Sequence, residues 1–394
     1  MRIGILEIES IGHLTMVVTL CEIFCNDQKN EVFVFSLNRH VNTLKYLNKK
    51  LNIKFINYNE QEDIYQFLLN TNNFKLDSLY IVTLESEDTI RTLNKTNFNT
   101  KTYTVIHDID IWFQLTYYQH LKIYCNNFLC KRNYRHIFKL IFKLIFGIKN
   151  NINFTYQLKQ YVNKSIKRQC FFVVLSTNIK NELEKLINYK YIKVIPFSIF
   201  TPDSLERKKG ITNNKLRICV LGYVTQVRRD YLGLISIMEN YLVEYKDLFQ
   251  VDMLGGVQDQ KLPEKFDILN DKGFNIIYYN ESYLTVEKTD IELQKADIIL
   301  GNSVVRPNKY SIYGKTKESG TPFAMIKSAK PGLFPFDYQT LPELKSSILY
   351  YKNNIELANI IIELIINRNK LQYLEEEAIK NSLKFTANSI IQRM

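Results

Sequence analysis

The sequence has neither a long apolar run nor a leader-like beginning. No uninterrupted apolar stretch reaches the roughly 18–20 residues that a helix needs to cross a bilayer. The first residues run straight into the short apolar segment 3–6, without the longer apolar region and cleavage site of a secretory signal. We therefore expect a cytoplasmic protein that does not span a membrane.

Cysteine pairs and a phosphate-binding P-loop are also missing. None of the six cysteines forms a C-x-x-C pair, and Cys125 and Cys130, five residues apart, have no second pair nearby. This spacing argues against a zinc site. Because the chain has no export signal, we expect free thiols in a reducing compartment. The pattern G-x-x-x-x-G-K-[ST] does not occur. We expect neither a bound metal nor a cofactor.

Acidic residues are absent from the whole segment between Ile111 and Asn181. These 71 residues contain twelve Lys and Arg, which equals the net charge of +12, so the rest of the chain is neutral. The basic charge is thus concentrated in one segment. This concentration predicts one surface that faces a polyanion, rather than a generally basic protein.

The basic segment contains one amphipathic stretch, 131–149, with the sequence KRNYRHIFKLIFKLIFGIK. Helical spacing places its cations on one face and its aromatic and aliphatic residues on the other. Such a helix can lie in the interface of an anionic membrane, or it can pack on a core with a solvated basic edge. No nucleic-acid recognition motif accompanies it, so we expect no nucleic-acid partner. The residues expected to face a membrane are Arg132, Arg135, Lys139 and Lys143.

Strand-like apolar segments alternate with helical patterns throughout the 394 residues, and the alternation restarts near residue 216. This order predicts parallel sheets covered by helices, in two domains of about 150–200 residues each. We predict an α/β protein with two Rossmann-like, doubly wound domains that face a cleft. The expected divisions are a first domain 1–200, a linker 201–215, a second domain 216–370 and a C-terminal helix 371–394 that packs back on the first domain.

Two loops of the second half have the composition of anion-binding sites. GYVTQVRRDY (222–231) places Gly222 after a strand, and Arg228 and Arg229 before a helix. Backbone amides and the helix dipole favour an anion at such a junction, and arginine binds phosphate with a bidentate fork. The second loop precedes a helix predicted to begin at about Pro322. Its candidate diphosphate-binding residues are Lys315, Thr316, Ser319, Gly320 and Thr321.

The order of elements over 216–345 resembles the donor-binding domain of the GT-B glycosyltransferases, in particular the retaining group 1, family 4-like enzymes of bacterial surface-polysaccharide synthesis. The resemblance rests on the Gly222–Arg228 spacing, on ADIILGNS (296–303) and on SGTPFAMIKSAKPGLFP (319–335). It implies a two-domain nucleotide-sugar transferase with a diphosphate bound near Gly222 and Arg228. It also implies that Gly255 and Tyr279 line the donor site. Tyr223, a further candidate donor-site residue, stands directly after Gly222, where the family often has an arginine that contacts the phosphate.

The chain departs from this family at two acidic positions. The family has two Glu with seven residues between them, whereas Thr316 and Ala324 occupy the matching positions here. Glu318, two residues from the first of these positions, is the acid that could substitute. The resemblance implies retention of the anomeric configuration; an inverting enzyme would instead need a general base.

Loops after the first and fourth strands of the N-terminal half supply the other candidate catalytic groups. The resemblance implies that acceptor and catalytic residues lie there, and the polar residues are His13, His107, Asp108 and Asp110. We expect His107 to hydrogen-bond the donor sugar and Asp108 to orient its ring. Asp108 or His13 would be the base of an inverting enzyme.

The resemblance thus implies a glycosyltransferase in capsule, O-antigen or exopolysaccharide synthesis. Its expected partners are a nucleotide-diphosphate sugar, a saccharide or lipid-linked saccharide acceptor, and the inner face of the cell membrane. Two other functions stay open: a sugar-nucleotide epimerase of the same fold, and an inactive, membrane-associated scaffold of a polysaccharide complex.

Overall fold

A computed structural model describes residues 1–44, 51–59, 61–114, 137–202, 215–281, 284–307 and 311–394; for 114 and 137–151 it describes the backbone only. The chain divides into two compact units, Met1–Ile195 and Pro196–Met394. Most of the predicted linker, 203–214, and the residues Arg132 and Arg135 lie outside the described residues. The domain limits given above, and the packing of the C-terminal helix on the first domain, stay predictions.

The first unit is built on a parallel sheet with the strand order β3-β2-β1-β4-β5-β6-β7. Its strands are β1 Arg2–Glu7, β2 Glu31–Leu37, β3 Ile53–Tyr58, β4 Ser78–Ile81, β5 Lys101–Ile106, β6 Phe171–Val174 and β7 Ile192–Val194. Its helices are α1 Leu14–Cys25, α2 Asn38–Leu44, α3 Ile64–Asn70, α4 Glu87–Lys95, α5 Ile137–Lys167 and α6 Thr177–Leu186.

The second unit repeats this plan with the strand order β10-β9-β8-β11-β12-β13. Its strands are β8 Leu216–Leu221, β9 Phe249–Gly256, β10 Ile276–Tyr279, β11 Ile298–Leu300, β12 Gly332–Pro335 and β13 Ile348–Tyr351. Its helices are α7 Tyr231–Tyr241, α8 Lys261–Asp271, α9 Val286–Lys295, α10 Gly320–Ser328, α11 Asn354–Ile366, α12 Arg368–Ser382 and α13 Ala387–Ile391.

The central strands are buried on both faces, as parallel strands between two helix layers must be. In β1 every residue after Arg2 is buried, and in β9 all eight residues are. Runs of Ile, Val, Leu and Phe in these strands therefore form the core rather than one side of it. The α/β class with two Rossmann-like sheets, expected from the alternation of strands and helices, is confirmed.

Two of the predicted helices, α10 and α5, can be compared with the structure at their first residues. Helix α10 begins at Gly320 and not at Pro322, because Ser319 is already the extended residue that precedes the helix. Helix α5 begins at Ile137, among the described residues, and so includes Lys139 and Lys143. Within the part of the chain that the structure describes, no helix is both long and apolar enough to cross a membrane.

Candidate functional site

Each sheet has a point at which the strand order reverses, and polar side chains lie at both. In the first unit β1 lies beside β4, and in the second β8 lies beside β11. Chain connections leave these neighbouring strands in opposite directions, which opens a crevice at their carboxyl ends. Ligands of open α/β sheets bind in this crevice.

The loop after β8 approaches its neighbouring strand closely at two glycines. Gly222 has a φ of 100°, a left-handed conformation that side chains disfavour. A Cβ atom on Gly255 would lie 2.2 Å from the Gly222 carbonyl oxygen. Position 255 therefore requires glycine because there is no room for a Cβ atom, and position 222 favours glycine because of its positive φ. Together they bring the loop down onto the end of β9.

Arg229 is turned inward by this loop. Its side chain is only 6% exposed, and its Nη2 atom donates a hydrogen bond of 3.4 Å to Thr321 Oγ1. Among the described residues, its Nη1 atom has no hydrogen-bond partner and no carboxylate forms a salt bridge with it. A buried guanidinium without an acid is costly, and an anionic ligand would compensate it.

The backbone on both sides of Arg229 is fixed by the end of β11. The Asp230 amide donates to the Asn302 carbonyl at 3.0 Å, and the Val304 amide donates to the Arg228 carbonyl at 3.0 Å. Asp230 also accepts the Gly233 amide and caps α7. The position of Arg229 is thus set by main-chain bonds, before any ligand is present.

Asn302 follows β11 at the same point and is 3% exposed. Within the described ranges, neither its Oδ1 nor its Nδ2 atom has a hydrogen-bond partner. Buried amide groups are nearly always satisfied in folded proteins. Asn302 therefore adds a second buried polar side chain that a ligand or water could satisfy.

The N-terminus of α10 completes this site. A Cβ atom on Gly320 would lie 3.4 Å from the Leu221 side chain at the end of β8. The amides of Gly320 and Thr321 precede the first intrahelical hydrogen bond, so they can bind an anion. Ser319 contacts the Tyr338 hydroxyl at 3.1 Å, and that hydroxyl donates to Glu318 at 2.9 Å.

The structure brings some of the predicted donor residues together and separates others. Gly222, Gly255, Arg229, Gly320 and Thr321 lie within one group of contacts. By contrast, the side chain of Arg228 is exposed, and the Thr316 hydroxyl is bonded within its own turn to the Ile312 amide at 3.0 Å. Tyr223 and Lys315 are half-buried, and Tyr279 ends β10 with the Lys288 ammonium 4.4 Å from its ring centre. The donor-binding role of each residue stays a prediction.

At the corresponding point of the first unit, Glu7 ends β1 and is completely buried. Its Oε1 atom accepts the amides of Glu9 and Ser10 at 2.9 Å each. Its Oε2 atom accepts the hydroxyl of Thr83, the second residue after β4. Burial raises the pKa of Glu7 to about 7, although these three hydrogen bonds oppose the shift.

The same Thr83 hydroxyl lies 3.0 Å from Nδ1 of His13, and His13 stacks on His107 with ring centres 3.9 Å apart. His107 Nε2 lies 2.9 Å from the Val82 carbonyl. Burial lowers the pKa of His107 to about 4; burial and the nearby His107 lower the pKa of His13 to about 2. Both rings are therefore neutral at physiological pH.

Asp108 accepts the Asp110 amide at 3.0 Å and so shapes the turn after β5. Its expected role in orienting His107 stays a prediction. Beside this cluster lies a cavity of about 950 Å³, lined in part by Glu9, Glu85 and Tyr58. The carboxyl end of the first sheet therefore offers both titratable groups and space for a ligand.

Sequence reasoning missed three residues: Glu7, Thr83 and Asn302. Glu7 was readable as the single acid at the end of an otherwise apolar strand, and Asn302 stands inside the segment 296–303 already singled out. Thr83 gave no signal, because only the pairing of β4 with β1 places it beside Glu7. No cluster of three or more His, Cys, Asp or Glu within the described residues could hold a metal ion.

No family model and no curated protein matches the sequence. Among solved structures, TarM from S. aureus in complex with fondaparinux, alpha-GlcNAc-glycerol and UDP matches with a TM-score of 0.63 and 10% identity, covering 100% of this chain and 98% of that one. Anabaena HepE in complex with UDP matches with a TM-score of 0.58 and 13% identity, covering 100% and 98%.

WaaG, a glycosyltransferase involved in lipopolysaccharide biosynthesis, matches with a TM-score of 0.55 and 10% identity over 100% of both chains. At these identities the likeness shows the fold. The chain has the fold of the GT-B glycosyltransferases, with two Rossmann-like domains.

Proposed function

We propose that this protein transfers a sugar from a nucleotide-diphosphate sugar to a saccharide or lipid-linked saccharide acceptor. The observation that carries the proposal is the buried guanidinium of Arg229, which has no acidic partner among the described residues and lies beside Thr321 at the N-terminus of α10. A diphosphate is an anion that suits both a guanidinium fork and helix amides.

The proposed chemistry is electrostatic. When the bond between the sugar C1 and the phosphate oxygen breaks, negative charge develops on the leaving diphosphate. Arg229 and the amides of Gly320 and Thr321 stabilise this charge from fixed positions, which is effective because the guanidinium is already buried. The positive charge that a metal ion provides in other transferases comes here from the protein, so the proposed reaction requires neither a metal nor a cofactor.

Uridine diphosphate is the first nucleotide to test. HepE has been crystallised with UDP and with UDP-glucose, and TarM with UDP. Asn302, with both amide atoms unpaired in the described part of the chain, supplies a further donor and acceptor for such a ligand. These points support a UDP-sugar as the donor.

The acceptor side of the proposal rests on the first unit. Its cavity of about 950 Å³ has room for a saccharide, and Glu85, which lines the cavity, approaches His13 Nδ1 to 3.7 Å. The resemblance implies retention of configuration at the anomeric carbon. Inversion is the alternative, and it requires a base near the acceptor. The anomeric coupling constant of the product distinguishes the two.

A peripheral position on the cytoplasmic face of the cell membrane completes the proposal. It is supported by the acid-free basic segment 111–181 and by the helix α5 that runs through it. Lipid-linked acceptors are held in a membrane, so a basic, apolar helix would place the enzyme beside them. The pathway proposed is capsule, O-antigen or exopolysaccharide synthesis in a bacterium.

Calorimetric titration with UDP and a panel of UDP-, GDP-, dTDP- and CMP-sugars tests the donor site. Replacing Arg229 by Ala is expected to weaken binding of the best ligand about 10- to 100-fold, because a hydrogen bond to a charged group contributes about 1.5–3 kcal/mol. Arg228→Ala, measured in parallel, shows how much the exposed neighbouring arginine contributes to binding of the same ligand.

An exposed arginine distant in the chain, Arg393, serves as the matched control, and its replacement by Ala should leave binding unchanged. Absence of heat with every nucleotide sugar would overturn the proposal. If the Arg229 variant bound the nucleotide sugar as tightly as the unaltered protein, the protein would still bind nucleotides, but the proposed site at Arg229 would be rejected.

A further inference from the structure

We propose that the first unit has a second ligand site, a basic pocket at the amino ends of β4, β5 and β6 that binds a phosphorylated sugar. This inference goes beyond the proposed function, because neither the donor nor the acceptor is placed in this pocket. The observation that carries it is a cavity of about 750 Å³ lined by three cationic side chains, none of which forms a salt bridge with a described residue. They are Lys101, Lys164 and Arg168.

The basic pocket lies at the edge of the first sheet where the strands begin. It is bounded by the segment before β4, by the loop 96–102 that leads into β5, and by the end of α5 with the loop before β6. The cavity of about 950 Å³ lies where the strands end, and the two cavities share no lining residue. Strands of four to six residues separate the two edges by about 13–20 Å. The basic pocket is therefore a site of its own.

Lys101 and Arg168 have hydrogen-bond donors that no described residue uses. Lys101 begins β5 and is exposed, and its ammonium group has neither a hydrogen bond nor a salt bridge within the described ranges. Arg168 follows directly after α5, and its Nη2 atom donates to Asn97 Oδ1 at 2.5 Å. This bond orients the guanidinium and leaves its other N–H groups for a ligand. Arginine and lysine in such a state are suited to phosphate.

Acidic residues near the basic pocket do not neutralise its cations. Asp77 is the single acid among the lining residues, and its Oδ2 atom accepts the main-chain amide of Arg2 at 2.7 Å. The end of α5 belongs to the acid-free segment 111–181, so no acid close in the chain compensates Lys164 or Arg168. The pocket therefore carries more positive than negative charge, which favours an anion.

Helix C-termini also meet this pocket, and their partial negative charge is the alternative reason for its cations. Lys164 accounts for the end of α4, because its ammonium group donates to the carbonyls of Asn94 and Thr96. The last turn of α5 is closed by its own main chain, where the Arg168 amide donates to the Lys164 carbonyl at 3.0 Å. The side chains of Lys101 and Arg168 are thus not needed at either helix end, so we assign them to the ligand.

Lys164 and Arg168 lie four residues apart, so their like charges repel each other. Burial and the charge of Arg168 lower the pKa of Lys164. A phosphate group beside both cations would offset this repulsion and favour the charged form of Lys164. An anionic ligand therefore stabilises the pocket as it is built.

The rest of the wall suits a hydroxyl-bearing ring. The volume of the pocket lies within the range of small-molecule sites, about 300–1,000 Å³. Leu93, Tyr161 and Phe171 supply an apolar side. The Thr100 hydroxyl is buried and has no hydrogen-bond partner in the described part of the chain. Further side chains that can hydrogen-bond sugar hydroxyls are Asn97, Asn99 and Gln169.

Calorimetric titration of the full chain with glucose 6-phosphate, mannose 6-phosphate and glucosamine 6-phosphate tests the basic pocket. Inorganic phosphate and glucose are titrated separately, as the two parts of the ligand. We expect at least one sugar phosphate to bind about 10-fold or more tightly than inorganic phosphate, because hydroxyl contacts add to the ionic ones. Equal affinity for inorganic phosphate would overturn the assignment to a sugar.

Replacing Lys101 and Arg168 together by Gln should weaken binding of the best sugar phosphate at least about 10-fold, because two charge-assisted hydrogen bonds are lost. Both side chains are exposed, so the double variant should fold. The control replaces Lys261 and Lys265 on α8 by Gln, which changes the net charge equally and should leave binding unaltered. Equal affinity of the unaltered protein and the Lys101/Arg168 variant would overturn the inference.

Arg229→Ala separates the basic pocket from the proposed donor site, which also binds phosphate groups. This variant should bind the sugar phosphate as the unaltered protein does, and the Lys101/Arg168 variant should keep its affinity for a UDP-sugar. Loss of sugar-phosphate binding in Arg229→Ala, or an absence of heat with every sugar phosphate, would reject the pocket. The titration with UDP-sugars is independent of these results, so the proposed function stands or fails separately.

Vesicles containing phosphatidic acid present the same phosphate group on a lipid surface. We expect the Lys101/Arg168 variant and its Lys261/Lys265 control to float equally with such vesicles. Flotation lost only in the Lys101/Arg168 variant, with no heat from any sugar phosphate, would replace the phosphorylated sugar by a lipid head group.

Discussion

At the scale of single residues, the second unit buries a charge at Arg229 that folding alone does not explain. A guanidinium in this environment destabilises the ligand-free protein, because its buried Nη1 atom has no hydrogen-bond partner among the described residues. A residue kept at such a cost is typical of a binding site, where a ligand supplies the missing charge.

Replacing Arg229 by Met should therefore stabilise the ligand-free protein. Removing a buried charge in favour of an apolar side chain of similar length is expected to raise the free energy of unfolding by about 1–3 kcal/mol. The same change should remove the increase in stability that saturating UDP is expected to give to the unaltered protein. Urea unfolding with and without UDP measures both effects, and a destabilised Met variant would show instead that the guanidinium is structural.

Glu7 makes the stability of the first unit depend on pH. Its pKa is raised from 4.5 to about 7, so the folded state binds more protons than the unfolded state between these values. The contribution of Glu7 to stability is thus complete below about pH 4.5 and is lost as the pH rises through 7.

Glu7→Gln removes this titration. Relative to the variant, the unaltered protein should lose about 3 kcal/mol of unfolding free energy between the two pKa values. The neutral histidines His13 and His107 act in the opposite sense, since their lowered pKa values reduce stability as the pH falls below 6.5. Comparing the two proteins at each pH cancels that contribution, and parallel curves would contradict the burial of an ionisable Glu7.

At the scale of elements, the contact between the loop after β8 and the end of β9 determines where Arg229 can lie. Gly255 touches the backbone of Gly222 and Tyr223, and the end of β11 holds the other side of the loop. No side chain can enter this contact without moving the loop away from the strand.

Gly255→Ala should therefore destabilise the protein by about 1–3 kcal/mol, because its Cβ atom would overlap the Gly222 carbonyl group. The matched control is Gly12→Ala, where the nearest atom to a new Cβ lies at an ordinary 3.5 Å and the expected change is within about 0.5 kcal/mol. Denaturant unfolding measures both, and equal effects would argue against the close approach.

The elements were predictable from the sequence to a much greater extent than the site. Buried strands such as β1 and β9 stand out as apolar runs between polar segments, and their alternation with helices gave the sheet class. The inward orientation of Arg229 and not of Arg228 depends on main-chain bonds to residues 302 and 304, which no local pattern encodes. Likewise, Glu7 and Thr83 meet only because β1 and β4 pair, 76 residues apart.

At the scale of the whole molecule, the charge is divided between a basic segment and an otherwise neutral chain. A cluster of cations attracts an anionic surface over about a Debye length, so binding should weaken as salt is added. The proposed membrane contact is therefore open to a test that does not require knowledge of the acceptor.

Changing Lys139 and Lys143 together to Glu should lower binding to vesicles containing phosphatidylserine at least about 10-fold, since each cation near such a surface contributes about 1 kcal/mol. Lys261 and Lys265, exposed residues of α8, changed in the same way provide a control with equal net charge. Flotation measures the bound fraction. Equal binding of the two variants would reject the role of this helix.

At both strand-order reversals, the side chains that meet come from distant parts of the chain, so these sites form late in folding. Arg229 and Thr321 are 92 residues apart and meet only after β8, β11 and α10 have come together. Contacts of such long range form late, because closing a long loop is entropically unfavourable until the sheet compensates for it. Nucleotide binding during refolding should therefore begin only when the second sheet is complete, and a nascent chain that ends before α10 should lack the proposed diphosphate site.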